Sequence, residues 1–229
     1  MKRKPPEGNV RRVQAIDRNV RYTITNKSGQ TQQCESHLER RLALRLHRDK
    51  SIRDYRSQPE TIYFIDDEGK RHSYIPDFQA WTISDSTQIH EVTIPERRAE
   101  NPYLLIREKF GRELCAARGW QYFTHFPDTL PNDTETANLL GFYAFRAKGY
   151  YNTLVQQAVM SLLHSEISLP ITILVDNVYA KLTWTGIAKP FIYATVFHFI
   201  WHDEIQIDWS SLFFVHGAPA RGVRVWLNK

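Results

Sequence analysis

Cysteine is nearly absent from this chain of 229 residues, occurring only as Cys34 and Cys115. Two isolated thiols exclude a disulfide framework and a cysteine-based zinc site, and they suit a reducing compartment. Long apolar runs are missing as well. The most apolar segment, Phe191 to Trp201, contains His198 and falls short of the roughly 18 residues that a spanning helix needs, so no membrane partner is expected. The opening residues Met1-Lys2-Arg3-Lys4-Pro5-Pro6-Glu7 hold no apolar stretch, so a secretory leader is not expected and a cytoplasmic protein is. No glycine-rich phosphate loop, no G-x-S-x-G elbow, no internal repeat and no low-complexity tract occurs, which removes support for nucleotide hydrolysis and serine-esterase chemistry.

What is present is a foldable composition with lopsided charge. Apolar residues make up 42% and aromatics 13%, enough for a core. The net charge is +5, yet Met1 to Glu60 alone carry 15 Lys/Arg against 7 Asp/Glu, a local balance of +8. The remainder is therefore at −3. Cations concentrated at one end are the footprint expected of a polyanionic partner such as double-stranded DNA.

Along the chain, residues 1–20 read as a basic arm. Arg21 to Thr25 reads as a strand and Asn26-Lys27-Ser28-Gly29 as a turn. Ser36 opens a helix in which Leu38, Leu42 and Leu46 recur every four residues, with Arg40, Arg41, Arg45 and Arg48 on other faces. Thr61 to Ile65, Ser73 to Phe78 continued by Ala80 to Ile83, and Gln88 to Thr93 form a strand meander joined by polar turns. Asn101-Pro102 starts a helix with a cap and a proline at its first position. Its expected buried stripe is Tyr103, Ile106, Phe110, Leu114 and Ala117, and Trp120 to Thr124 follows as a strand. This α/β unit covers residues 21–130. Residues 131–229 read as helices over Leu139–Lys148, Leu154–His164, Ile171–Tyr179 and Pro190–His202, closed by strands at Ile205–Asp208 and Val223–Leu227. That is the outline of a winged-helix unit.

The sharpest feature is Ile75-Pro76-Asp77-Phe78 with Glu91-Val92 on the returning strand. A hairpin sets Asp77 and Glu91 side by side, where their oxygens can share Mg²⁺, with Mn²⁺ as a substitute. Glu39, on the preceding helix, is a candidate third carboxylate. Ser36-x-x-Glu39 also fits a capping box, and the two roles are compatible. Either acid alone reads as an ordinary turn or strand residue; the combination on one meander points to metal-assisted phosphodiester chemistry.

Ser36-His37-Leu38-Glu39, Ser57-Gln58-Pro59-Glu60, Tyr74-Ile75-Pro76-Asp77-Phe78 and Glu91-Val92-Thr93 together resemble the catalytic domain of the TnsA family, the restriction-endonuclease-like (PD-(D/E)xK) subunits of heteromeric cut-and-paste transposases. The resemblance implies a restriction-endonuclease-like core, a mixed sheet flanked by helices, followed by a winged-helix domain. It implies a Mg²⁺-dependent endonuclease, bacterial and nucleoid-associated, that nicks 5′ strands at transposon ends. A TnsB-like recombinase and a TnsC-like AAA+ ATPase would be its partners, the latter through the C-terminal domain. It assigns Glu39, Asp77 and Glu91 to the metal site. The family pattern places a lysine two residues beyond Glu91, where this chain has Thr93, a hydroxyl that can orient water but carries no charge. Arg97, Arg98 or Lys109 are the expected substitutes, and with Arg40 and Arg41 they are the expected DNA-binding cations. A stand-alone restriction-like nuclease and a catalytically silent DNA- and protein-binding adaptor are the alternatives.

Among other candidates, His198 and His202 lie one helical turn apart with Asp203 adjacent, but their aromatic neighbours favour packing or capping over metal binding. The helix opened by Lys189-Pro190 is aromatic rather than basic, which favours protein contact over groove reading. Trp184, Trp201, Trp209 and Trp226 are expected in the core of the C-terminal unit, or on a docking surface where exposed.

Overall fold

The computed structural model describes residues 22–227 and divides into two compact units, one up to Pro131 and one from Asn132 onward. The expected basic arm over residues 1–20 lies outside the described residues, as does Arg21.

The first unit opens with a two-stranded ribbon, β1 (Tyr22–Thr25) and β2 (Thr31–Cys34), and helix α1 (His37–Arg48). Strand β3 (Ile52–Ser57) follows, then a hairpin of β4 (Ile62–Ile65) and β5 (Arg71–Tyr74). Strands β6 (Phe78–Thr82) and β7 (Thr87–Val92), helices α2 (Pro95–Glu100) and α3 (Pro102–Ala117), and strand β8 (Gln121–His125) complete it. The main sheet has the order β3-β6-β7-β8, antiparallel except for the parallel pair β7/β8. A mixed sheet flanked by helices is what a restriction-endonuclease-like core requires.

Two features depart from the sequence expectation. The stretch from Ser73 to Ile83 is not one continuous strand: β5 ends at Tyr74 and pairs only with β4, whereas β6 joins the main sheet. Strand β3, unread in the sequence, pairs with β6 along its length. Its sequence, IRDYRS, carries three charged side chains, and a register shift between Ile52 and Asp54 breaks the alternation of its buried positions Ile52, Tyr55 and Ser57.

Strand alternation assigns the two faces of the sheet. Tyr55, Phe78 and His90 share one face: Tyr55 meets Phe78 edge-on at 6.1 Å, and Arg45 of α1 lies in the electrostatic range of His90. Ile89, Glu91 and Tyr122 share the other, toward α3. The stripe that α3 buries is Leu104, Gly111 and Cys115, not the apolar set expected from periodicity; Ile106 is exposed and Ala117 likewise. Gly111 explains the shift. A β-carbon there would stand 2.5 Å from the Tyr74 hydroxyl and 2.6 Å from the Tyr122 ring, so the helix uses its bare position to press against the sheet.

The second unit holds α4 (Asp133–Tyr143), α5 (Thr153–Ser165), β9 (Leu169–Pro170), α6 (Ile171–Lys181), α7 (Lys189–Trp201), β10 (Ile205–Ile207), β11 (Phe214–Val215), β12 (Ala218–Pro219) and β13 (Arg224–Leu227). Strands β10, β13 and β9 form an antiparallel sheet in that order, and β11 pairs with β12. Helix α7 is apolar all round and buries Ile192 and the run from Thr195 to Trp201, so it is the central helix of this unit. Asn152 and Asn132 cap α5 and α4 through their side chains. Of the four tryptophans expected in this core, Trp201 is fully buried and Trp209 and Trp226 half-buried, but Trp184 is 76% exposed on the turn after α6. Among the described residues no helix is long and apolar enough to cross a membrane.

Candidate active site

The β6/β7 hairpin pairs Phe78 with His90, so the next position in register faces Asp77 toward Glu91. Asp77 Oδ2 accepts from the Val92 backbone N–H at 2.7 Å, which locks it against β7. Glu91 is 2% exposed, and its Oε2 accepts from Arg107 Nη2 at 3.0 Å. The other oxygen, Oε1, is buried with no hydrogen-bond partner.

Glu39 enters from α1. It is buried, on the same helical stripe as Leu42, Ala43 and Leu46. Its capping role is present: the Ser36 hydroxyl accepts from Glu39 N at 3.1 Å and lies 3.0 Å from Oε1. The reciprocal bond lands one residue earlier than a standard capping box, because Oε2 accepts from Glu35 N at 2.8 Å.

Electrostatics ties the three acids together. Burial, then the Asp77 charge, pushes Glu39 up to about 8. Burial, then the Asp77 charge, raises Glu91 well above the carboxylate range, with Arg107 opposing and Glu39 adding to the rise. Burial also raises Asp77, against the Val92 N–H and the cations Arg107 and Arg97, which hold it down. Like charges that repel in a shared, desolvated place are the condition a divalent cation relieves. The acids share a field without being gathered round one point: among the described residues, no group of three or more His, Cys, Asp or Glu side chains is placed to hold a metal as it stands. Each carboxylate is engaged by a protein donor instead. The orphaned Glu91 Oε1 and the all-oxygen donor set nevertheless fit a hard cation such as Mg²⁺ or Mn²⁺. Cys34, buried nearby, has its thiol pushed up by burial and by the Glu39 and Asp77 charges, which makes it inert rather than nucleophilic.

The expected cations divide. Thr93 extends β7 by donating its N–H to His125 O at 3.0 Å, and its hydroxyl reaches only Ile94 O at 3.4 Å. Arg98 pairs with Glu108 at 3.0 Å and Lys109 with Asp67 at 2.8 Å, so both are spoken for elsewhere. Arg97, exposed on α2, lies within the field of Asp77. Arg40 stacks over the Tyr22 ring at 4.0 Å, and Arg41 is half-buried. The cation on the acids is Arg107, which sequence reasoning did not name; its helix stripe was assigned to apolar neighbours. Glu35 and Gln58 were likewise missed as site residues. Gln58 Nε2 donates to Glu35 Oε1 at 2.8 Å, and Gln58 N donates to Asp77 O at 2.9 Å.

In the second unit, His198 Nδ1 and His202 Nε2 each meet a backbone carbonyl, Phe145 O at 2.8 Å and Arg146 O at 3.1 Å. They fasten the end of α4 to α7, the capping role expected of them.

A mixed sheet with a carboxylate at each side of its central hairpin, Asp77 and Glu91, makes this the candidate site. Residues 49–125 match the family model described as TnsA-like endonuclease N terminal, so this stretch is similar to the N-terminal domain of TnsA-like endonucleases. The match includes Gln58, Asp77, Glu91, Thr93 and Arg107; Glu35 and Glu39 precede it, and the second unit lies beyond it. No curated protein matches the chain.

Proposed function

We propose that the protein is the metal-dependent endodeoxyribonuclease subunit of a transposase, nicking the 5′ strands at transposon ends. The observation that carries this reading is the β6/β7 register, which brings Asp77 beside Glu91 within the field of Glu39. Asp77 and Glu91 would hold Mg²⁺, with Glu39 completing the set. When bound, the ion supplies positive charge to the scissile phosphate and activates water. The chain's own residues do the rest. Val92 N–H and Arg107 fix the two strand carboxylates, while Arg97 on α2 adds positive potential where a DNA backbone approaches.

The topology of the second unit supports a winged-helix reading: helix, short strand, two helices, then a strand pair that sandwiches β13 between β10 and β9. With α7 buried from Thr195 to Trp201 and so unable to enter a DNA groove, this unit would serve protein docking, with a TnsC-like AAA+ partner, while a TnsB-like recombinase cuts the opposite strands. The uncharged Thr93 favours a second reading, a silent adaptor that assembles on DNA without cutting it.

End-labelled transposon-end DNA, incubated with the reconstituted complex and Mg²⁺, decides between the two. The wild type should nick the 5′ strand, and Asp77→Asn should assemble but not cut. Assembly without nicking by the wild type would establish the adaptor.

A further inference from the structure

Glu39 and Asp77 come from different elements, and one residue links them, Asp77 through its backbone N–H and Glu39 through Glu35. Gln58 follows β3 with φ of +46°, a left-handed conformation that glutamine rarely adopts. Three other described non-glycine residues share positive φ, namely Asp85, Asp203 and His216, but Gln58 alone of the four is buried, at 4% exposure. Its backbone N–H holds the Asp77 carbonyl at 2.9 Å. Its side-chain amide holds Glu35 Oε1 at 2.8 Å, and Glu35 N in turn holds Glu39 Oε2 at 2.8 Å. The remaining polar atom, Gln58 Oε1, is buried without a hydrogen-bond partner. A strained backbone and an orphaned carbonyl both destabilise the fold, and residues that keep such features cluster at functional sites.

We propose that Gln58 is the positioning residue of this site: it sets Asp77 and, through Glu35, Glu39 at a fixed separation, and it presents Oε1 as a further hard oxygen toward the cation. Rigid placement matters because a carboxylate displaced by about 1 Å can cost about 100-fold in rate. The inference rests on the nuclease reading above. It concerns a residue that makes no direct contact with the hydrolysed bond.

The test uses the full chain with Gln58→Gly, which adopts φ of +46° without strain, and Gln58→Asn, which tolerates that backbone but is too short to reach Glu35. Thermal melting, Mn²⁺ binding followed by electron paramagnetic resonance, and nicking kinetics are measured on each. Both variants should melt close to the wild type and keep its KM for DNA. Both should bind Mn²⁺ at least about fivefold more weakly and lose about tenfold or more in kcat, since the hold on Glu35 and the position of the amide oxygen are lost together. Wild-type Mn²⁺ affinity and kcat in a variant that melts normally would overturn the inference. So would a kcat loss that merely tracks a lowered melting temperature. A wild type that takes up Mn²⁺ yet leaves DNA intact would overturn the nuclease reading alone, because the affinity comparison would still judge Gln58. A wild type that takes up no Mn²⁺ overturns both.

Discussion

Arg107 donates to Glu91 through one bond of 3.0 Å, and each partner keeps a buried polar atom, Arg107 Nε and Glu91 Oε1, without a hydrogen bond. An ion pair built for stability alone would close both bonds of the guanidinium fork. This one leaves an acceptor open while holding Glu91 in place, and its charge stands on the sheet face that Glu91 shares with Thr93. On the proposed reading it would supply there the charge that the Thr93 hydroxyl lacks.

Arg107→Gln should therefore cost stability and activity by separable amounts. Glu91 would be left buried without its cation, at a cost of about 2–3 kcal/mol, the lower end of the range because Arg107 keeps some exposure. Urea denaturation reads that loss. Nicking should fall by about 100-fold. Adding Thr93→Lys to the same chain should recover part of the rate, since it returns an ammonium to the same face. Equal rates in the single and double variants would show that the charge has no role in cutting.

The raised carboxylates dictate how stability responds to pH and metal. Glu39, Asp77 and Glu91 are all shifted upward, so the unfolded chain ionises before the folded one. Their contribution is fully present below the ordinary carboxyl value near 4.5 and is lost as pH rises toward about 8, the value Glu39 reaches. A divalent cation that binds the ionised acids offsets this loss, and its effect should grow with pH because protons stop competing for the same oxygens. Melting curves at pH 5 and pH 8, with and without one fixed Mg²⁺ concentration about 100 times its Kd at pH 8, should show the larger gain at pH 8, up to about 2.7 kcal/mol. A gain independent of pH would mean that the ion binds somewhere other than these acids.

The legible part of the site is the part written in local chemistry. Asp77 and Glu91 could be paired from sequence because a polar turn between two alternating segments fixes a hairpin register. Glu39 was legible twice over, as a capping-box partner and as the acid of a motif. Gln58 was not, because nothing in a glutamine codon signals left-handed backbone; the tertiary hold on Asp77 and Glu35 imposes it. Arg107 was hidden because apolar periodicity on α3 points to Ile106 and Phe110, while the face that meets the sheet is built from Leu104, Arg107, Gly111 and Cys115. Trp184 was left open between core and surface, because a large aromatic suggests core and only the placement of its turn exposes it.

On the α1 face of the sheet, His90 Nδ1 and His125 Nε2 lie 2.9 Å apart, and His90 Nε2 meets Gln88 Oε1 at 3.1 Å. One imidazole must donate and the other accept, so at least one stays neutral. Burial, then the neighbouring His125, pushes His90 down to about 3; burial, then Arg45, pushes His125 down to about 4. The unfolded chain takes up protons first, so stability is intact above the ordinary histidine value of 6.5 and falls as pH drops from there toward 4. His90→Phe should lose about 1 kcal/mol at neutral pH, for the hydrogen bonds removed, yet show a shallower decline between pH 6.5 and 4. Parallel pH profiles for the two proteins would exclude the pair as an acid sensor of the fold.

Gly111 sets how close Arg107 comes to the strands. Gly→Ala in a helix interior normally gains about 1 kcal/mol. Here the added carbon would meet the Tyr74 hydroxyl at 2.5 Å and the Tyr122 ring at 2.6 Å, both on residues packed against the sheet. Overpacking of that kind costs about 1–3 kcal/mol, so the clash should outweigh the helix gain and leave a net loss. The larger effect should be on the site, since α3 can relieve the contact only by lifting away and drawing Arg107 from Glu91. Gly111→Ala should therefore nick DNA more slowly than its modest drop in melting temperature accounts for. Gly149→Ala, at a position with open space around it, should do neither. A Gly111→Ala protein that melts higher and cuts normally would show that the helix does not depend on this close approach.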